Sequence, residues 1–525
     1  MTGFRTAQWR FRGRYVKKTM RQLLFSFCFL SILSLHAQSP YLTTKDRRFI
    51  DSTGRTVILH GLNFVNKDKA KGYRYADDSL SLVKMKQWGI NCIRLGVTWD
   101  GMEPAPGAVS EAYLRQLDER VKWAKQLGMY VLLDMHQDLY STKYANGAPD
   151  WATLDEGKPH YANEVSWDDS YFMSAAVQTA FDNFWLNKPA PDGKGIQDHL
   201  VTNWGIIAAR YGGEPAVIGF DLLNEPFIGS AVNKVLAAFM HTLAQSMKPA
   251  MSEEDVMQQW VTEEGKARLM QQLNDTVLYK QLVAAPEAYY AAFETDHLVP
   301  YFQKAKAAIR AVNKQQIIFL EPSVSANFGV KTHIAASFSP AEQQLAFAPH
   351  AYDIVTDTRS VAGASNERMK IILHRLDSVS KVMQIPMLLG EWGAFYSADS
   401  SMFTAGDYIV AQLEQMRCGE VYWSYFNSLE NAAYFPLINR GYPMAVAGEL
   451  LHFKYDRMHR TLTVHWKNDA SISSPTRLYV PFPPEKVHLS DSKNAEVIPD
   501  GTNGAVVIVH PIKGKAIRKL VITGK

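Results

Sequence analysis

Two glutamates each close a short apolar run: Glu225 ends FDLLNEP and Glu391 lies in MLLGEWG. Two carboxyl groups facing one another across a pocket suit glycosidic cleavage. One protonates the departing oxygen while the other attacks the anomeric carbon or activates water. The acid needs a pKa raised by desolvation and by its negative neighbour, and the nucleophile must stay ionised. Further polar residues stand at or just beyond the ends of apolar runs: Arg94, Asp134, His136, Asn224, His350, Tyr352 and Trp423. Arg94 and Tyr352 are expected to donate to the nucleophile, and Asn224 to hold the hydroxyl beside the reacting carbon. Trp423 offers a flat face to the apolar side of a sugar ring. Taken singly, each has a blander reading. Glu321 in FLEPS reads as an ion-paired or capping residue, His350 as a core histidine, Arg94 as an internal ion pair and Trp423 as core packing. Their joint occurrence at most of the strand ends favours a site.

The segments that must position them are eight short β-rich apolar runs, at residues 57–63, 91–97, 130–136, 217–224, 316–322, 344–350, 386–391 and 420–425. Helical periodicity fills several of the gaps, as in residues 114–127 before Gly128 and 301–312 before the fifth run. Eight strands alternating with helices predict an α/β fold, a parallel (β/α)8 TIM barrel whose catalytic groups sit at the carboxyl ends of the strands. An open doubly wound sheet is the alternative, but GLNFVNK after the first run is no glycine-rich phosphate loop. Surplus chain falls in two places, residues 139–191 and a methionine-rich helical insertion at 228–296; most of these residues read as padding of the barrel exterior, and because both stretches follow strands the sharper expectation is that they wall the active face. Past residue 440, short alternating segments separated by Pro, Gly, Asn, Asp and Ser predict a C-terminal antiparallel β-sandwich over 441–525 packed on a barrel of 38–440.

The 525 residues are 47% hydrophobic and 21% charged with a mean hydropathy of −0.19, values of a globular chain. The formal charge of +4 is too small and dispersed to argue for nucleic acid. Residues 1–37 hold seven basic residues and no acid, then an apolar run from Leu23 to Leu35 and a small-residue stretch near Ala37. That pattern predicts a secretory signal peptide and hence a secreted or periplasmic protein, an uncleaved anchor being the alternative. Taking the seven bases away turns +4 into −3. Cys92 and Cys418 are expected as buried free thiols, and no zinc spacing or other metal motif is evident.

The segments INCIRLGVTWDGMEP, NEP, APHAY, GEWG and YWSY, in that order, resemble glycoside hydrolase family 5, retaining (β/α)8 glycosidases with catalytic glutamates after strands four and seven. The resemblance implies Glu225 as acid/base and Glu391 as nucleophile, with no cofactor. DMHQDLYSTKYANGAPDWA, GFDLLNEPF and YPMAVAG resemble the endoglycoceramidase branch, which separates oligosaccharide from ceramide. By that resemblance Lys67, Asp134, His136, Asp138 and Asn224 bind sugar, with His350, Tyr352 and Trp423 completing the site around Glu391. The implied partner is a glycosphingolipid or other glycoside presented at a membrane or micelle surface, bound by a monomer. Glucosylceramide or steryl-glucoside hydrolysis, endoglucanase or mannanase action, and plain glycan binding are the competing readings. The methionines of the helical insertion, Met240, Met247, Met251, Met257 and Met270, suggest an adaptable apolar groove for lipid, against ordinary helix packing.

Overall fold

The computed structural model describes residues 40–525 except 163–166, 248–249, 261, 340–341, 357–362, 396–401, 491–494, 501–502 and 515. The expected signal peptide lies outside the described residues. All eight apolar runs contribute strands to one parallel sheet: β4 (His60–Phe64), β5 (Cys92–Val97), β6 (Tyr130–Met135), β7 (Val217–Asp221), β8 (Ile317–Leu320), β9 (Leu345–Phe347), β10 (Leu388–Gly393) and β11 (Gly419–Trp423). The order β10-β11-β4-β5-β6-β7-β8-β9 is that of a barrel, closed between β9 and β10 by the parallel bridges Phe347 to Met387 and His350 to Glu391. The run at 57–63 is divided. Thr56–Val57 forms β3, which leaves the barrel, and His60–Phe64 alone enters it. An unbroken apolar run carries no period to mark such a division: Ile58 lies in the sandwich core, whereas Leu59 packs at the barrel floor.

Alternation along the strands builds the site in layers. Cys92, Leu132 and Phe319 belong to an apolar plug at the barrel floor, which Phe49 closes with its ring 6.1 Å from that of Phe319. Two residues further along the same strands, facing the same way, stand Arg94, Asp134 and Glu321. Outside the sheet, Ser110 caps the helix Glu111–Gln126 by accepting from the Tyr113 N–H, and Gly128 ends the turn at φ 64°. The helix before the fifth barrel strand runs Val299–Val312.

The C-terminal strands form two antiparallel sheets, of order β1-β2-β3-β12-β15-β18-β17 and β13-β14-β19-β16. The first contains β12 (Tyr442–Val446), β15 (Thr476–Val480), β17 (Ala495–Asp500) and β18 (Gly504–Val509), and the second β13 (Gly448–Asp456), β14 (Thr461–Asn468), β16 (Pro484–Leu489) and β19 (Ile517–Gly524). Trp466, Leu462, Val464, Leu520 and Ile522 fill their shared core. Three strands of the larger sheet come from the other end of the chain: β1 (Thr43–Lys45), β2 (Arg48–Ile50) and β3, which pairs with β12 through Val57 and Ala445. Strands of two or three residues are too short for alternation to reveal them, so a boundary drawn at 441 omits this N-terminal contribution.

The insertion at 228–296 is helical, with helices Val232–Ser246, Glu253–Trp260, Glu263–Gln272, Thr276–Ala284 and Glu287–Phe293. Met240, Met247 and Met270 are buried in the main core, and Met251 and Met257 pack partly against it. They serve helix packing, and the expected methionine groove is not formed by them. Cys92 and Cys418 are buried free thiols whose pKa values burial pushes up.

Candidate active site

The guanidinium of Arg94, on β5, is the hub of the carboxyl end of the barrel and is fully buried. It donates to Asp221 (2.9 Å), Asp134 (2.9 Å), Glu321 (2.7 Å) and Glu391 (2.8 Å), and to the amide oxygens of Asn63 (3.1 Å) and Asn224 (3.0 Å). A planar fork with five N–H donors can serve so many acceptors where a lysine could not. Four carboxylates around one cation leave an excess of negative charge, which protonation relieves. Burial and the adjacent Glu321 push Asp221 well above the usual carboxylate range, against the pull of Arg94. Burial opposes ionisation of Glu321 as well, but the His350 and Arg94 cations bring it down to about 2.

Glu225 and Glu391 face each other across His350. One oxygen of each glutamate and one His350 nitrogen all lie within 4.8 Å of one another. His350 Nδ1 stands 2.9 Å from Glu225 Oε1 and 3.5 Å from Glu391 Oε2, and its Nε2 is 3.3 Å from Glu321. Burial disfavours its charge, yet Glu321, Glu391 and Glu225 together hold the imidazole pKa well above its ordinary value. Glu391 accepts from Arg94 and from the Tyr352 hydroxyl (2.9 Å), the two donors expected of it. Burial pushes Glu391 up to about 7, against the pull of His350 and Arg94. A general acid raised by desolvation is expected to be the more deeply buried of the two glutamates. The structure gives the deeper burial to Glu391, whose side chain is 6% exposed against 12% for Glu225.

Glu225 adopts the left-handed backbone region at φ 46°, a conformation costing a non-glycine residue roughly 1–3 kcal/mol. Its N–H donates to Glu321 Oε2 (2.9 Å), and the Gln137 amide donates to the carbonyls of Asn224 (2.9 Å) and Glu225 (3.3 Å), fixing the turn. Asn224 spends one amide hydrogen on the Gln137 carbonyl (3.0 Å), which leaves a second for a ligand. A side wall is built by Lys67, Asp138, His136 and Trp423. Lys67 is ion-paired with Asp138 and sits 4.6 Å from the centre of the Trp423 ring. His136 stacks on Trp423 at 5.3 Å and 14°, and its Nδ1 meets Asp134 at 2.7 Å. Burial opposes the charge on Asp138, yet Lys67 and His136 hold it well below the usual range. Asp134 likewise outweighs burial to raise His136.

The structure thus brings together all eleven residues singled out in the sequence: Glu225, Glu391, Lys67, Asp134, His136, Asp138, Asn224, His350, Tyr352, Trp423 and Arg94. It adds Asp221, Glu321, Asn63, Gln137 and Asn327, whose amide donates to Glu225 Oε1 at 2.7 Å. Asp221 had a legible signal, an acid inside an apolar run. Asn327, on a short turn after β8, had none. Two triads are close enough to hold a metal, Glu225/His350/Glu391 and Asp134/Asp221/Glu321. In both, a cation of the chain already occupies that role, the His350 imidazolium in the first and the Arg94 guanidinium in the second.

On the outer side, the Phe227 ring, two residues past Glu225, lies 4.8 Å from that of Tyr171, which is 6.3 Å from Trp167. Trp167 is 40% exposed and Met173 51%.

Residues 50–428 match the model of cellulase (glycosyl hydrolase family 5), and residues 440–516 match that of the glycoside hydrolase family 5 C-terminal domain. Endoglycoceramidase I of Rhodococcus hoagii (strain 103S) is 26% identical over 454 residues, 82% of this chain and 78% of that protein. Endo-glycoceramidase II from Rhodococcus sp. shares the fold. Its lactosyl-enzyme intermediate superposes with a TM-score of 0.67 at 23% identity, covering 92% of this chain and 99% of that one. Its ganglioside GM3 complex gives 0.69 at 22%, covering 92% and 100%.

Proposed function

The chain belongs to glycoside hydrolase family 5, and from that premise we propose that it is a retaining endo-glycosidase that cleaves the bond between the oligosaccharide and the ceramide of glycosphingolipids. The observation that carries the reading is the pair of glutamates with oxygens within 4.8 Å across the pocket. Retaining pairs stand about 5–5.5 Å apart and inverting pairs about 6.5–9.5 Å, and so close an approach of one oxygen from each glutamate agrees with the retaining arrangement. Glu391, oriented by Arg94 and Tyr352, attacks the anomeric carbon. Glu225, held by Asn327 and His350, gives its proton to the departing ceramide oxygen and then takes one from the water that opens the glycosyl ester. Asn224 offers its remaining amide hydrogen to the neighbouring sugar hydroxyl, and Trp423, flanked by Lys67 and His136, backs the ring.

The lipid half of the substrate is supported by the similarity to endoglycoceramidase I of Rhodococcus hoagii; the packed aromatic cluster beside Glu225 is buried at Phe227 and Tyr171 and exposed at Trp167. The exposed Trp167 and Met173 at its outer end suit contact with a micelle or bilayer surface, with the enzyme acting as a monomer. Export through residues 1–37 places this activity outside the cytoplasm. The test is incubation of the purified protein with lactosylceramide bearing a fluorescent acyl chain, in detergent. Release of free lactose and intact fluorescent ceramide is the expected result. An untouched glycolipid with hydrolysis of soluble β-glucan would sink the proposal, and release of galactose with fluorescent glucosylceramide left behind would make the enzyme exo-acting.

A further inference from the structure

Glu294 lies far from both catalytic glutamates in sequence and is buried to 1% exposure. It opens a single π-helical turn, Glu294–Leu298, between the helices Glu287–Phe293 and Val299–Val312. Such turns insert an extra residue into a helix, re-aim the side chains around them and recur at functional sites. Here the carboxylate accepts four hydrogen bonds: from the Ser323 N–H (3.2 Å) and hydroxyl (3.0 Å), the Thr332 hydroxyl (2.8 Å) and the His333 N–H (2.6 Å). These donors are the two ends of the segment 323–333, so one carboxylate clasps both. Inside the clasp, the 3-10 turn Val324–Phe328 carries Asn327. Its side-chain amide donates to Glu225 Oε1 at 2.7 Å, and its carbonyl accepts from the Tyr352 N–H at 3.0 Å, while the Tyr352 hydroxyl holds Glu391. The Val324 N–H also donates to the Pro226 carbonyl (3.0 Å), tying the segment to the residue after the acid/base.

A carboxylate buried without a contacting cation is costly to retain for stability alone, because apolar packing would fill the same volume without a desolvation penalty. What Glu294 supplies that an apolar residue cannot is a fixed position for two backbone N–H groups and two hydroxyls at once. We propose that Glu294 is a positioning residue for general acid/base catalysis, acting through Asn327 on Glu225. It sets the segment 323–333 so that the Asn327 amide meets Oε1 and leaves the other oxygen for the glycosidic bond.

The inference rests on Glu225 being the acid/base, so the experiment carries its own control. Values of kcat/KM are measured for Glu294→Gln, Asn327→Ala, the double variant and Glu225→Gln on two glycosides of one sugar. One has a dinitrophenol leaving group that departs without a proton, the other an alkyl alcohol that requires one. Loss of acid assistance falls on the alkyl glycoside and spares the aryl one. Glu294→Gln, which places an amide where His333 N–H needs an acceptor, is expected to lower the alkyl glycoside roughly 10- to 100-fold and the aryl glycoside less than about threefold. In the Asn327→Ala background it should add less than about twofold, because the two residues act in series. Equal loss on both substrates, or full additivity with Asn327→Ala, overturns the proposal in favour of a purely structural role. If Glu294→Gln does not fold, Thr332→Val removes one of the four donors at constant volume and should show a smaller loss with the same selectivity; no selectivity there overturns it equally. A Glu225→Gln variant that loses both substrates alike would instead refute the acid/base assignment.

Discussion

Replacing His350 by glutamine isolates the electrostatic control of the nucleophile. The imidazolium stands 3.5 Å from Glu391 Oε2, and among the influences on Glu391 it is the largest one opposing the burial that pushes this group up to about 7. Glutamine keeps an N–H donor for Glu225 and removes the charge. A unit charge at that distance is worth about 5 kcal/mol at an effective dielectric constant of ~20 and about 1 kcal/mol at ~80. With about 1.4 kcal/mol per tenfold change in the ionisation constant, the effect lies between about 1 and about 3 pH units. The sign follows from the role of Glu391. In the proposed mechanism it attacks as the anion, so activity falls as pH drops through its pKa, and removing a nearby cation raises that pKa. The native enzyme should therefore lose kcat/KM about tenfold per pH unit below its midpoint near 7, and His350→Gln should shift this acid limb upward by at least about one pH unit. The assay is kcat/KM from about pH 4 to about pH 10 on a dinitrophenyl glycoside, whose departure needs no proton, so that protonation of Glu225 does not shape the curve. A folded His350→Gln enzyme whose acid limb stays in place or moves down would refute the reasoning.

Four further outcomes follow from the geometry. Glu391→Gln should leave the far-ultraviolet circular dichroism unchanged and lower kcat by about four orders of magnitude or more, since it removes the covalent route; a loss below about tenfold would exclude Glu391 as nucleophile. Proton NMR of the first product formed should show the anomeric configuration of the substrate, and an inverted first anomer would contradict the proposed double displacement. Arg94→Met removes the guanidinium that Asp134, Asp221, Glu321 and Glu391 share, and its denaturation midpoint should reveal a destabilisation of about 3–5 kcal/mol. A change below about 1 kcal/mol would mean that the carboxylates neutralise themselves by taking up protons. Starting the chain at Ile58 removes β1 to β3 and uncovers β12, and the shortened protein should melt lower and aggregate more than one starting at Ser39.

Much of the barrel and the placing of the two facing glutamates could be read from local features, because the elements that carry them are local. A run such as YVLLDMH states both a buried strand and the polar group at its carboxyl end, and the barrel rule turns each such end into a site position. Arg94, Asp134, Glu225, His350 and Glu391 were legible for that reason. The methionine spacing at Met240, Met247 and Met270 was equally visible and left groove and ordinary helix packing as two readings, of which burial in the core bears out the second; periodicity reports that a face is buried and not what buries it. Glu321 was read as an ion-paired residue and is one, but nothing local places it under the backbone of Glu225.

By itself the sequence determined the eight strands and their order, the two glutamates at the fourth and seventh strand ends, and the antiparallel character of the C-terminal part. Only the tertiary structure decided which charges share a partner. Arg94 and Glu391 are 297 residues apart and meet at 2.8 Å because β5 and β10 face one another across a closed barrel, a distance no spacing rule encodes. The same closure gave Glu391 the deeper burial, seated Asn327 on Glu225, and clasped the segment behind it with Glu294. It was also tertiary pairing that lent three short N-terminal strands to the C-terminal sheet. Strands so short have no stable pattern of their own, and become strands only where β12 offers an unpaired edge.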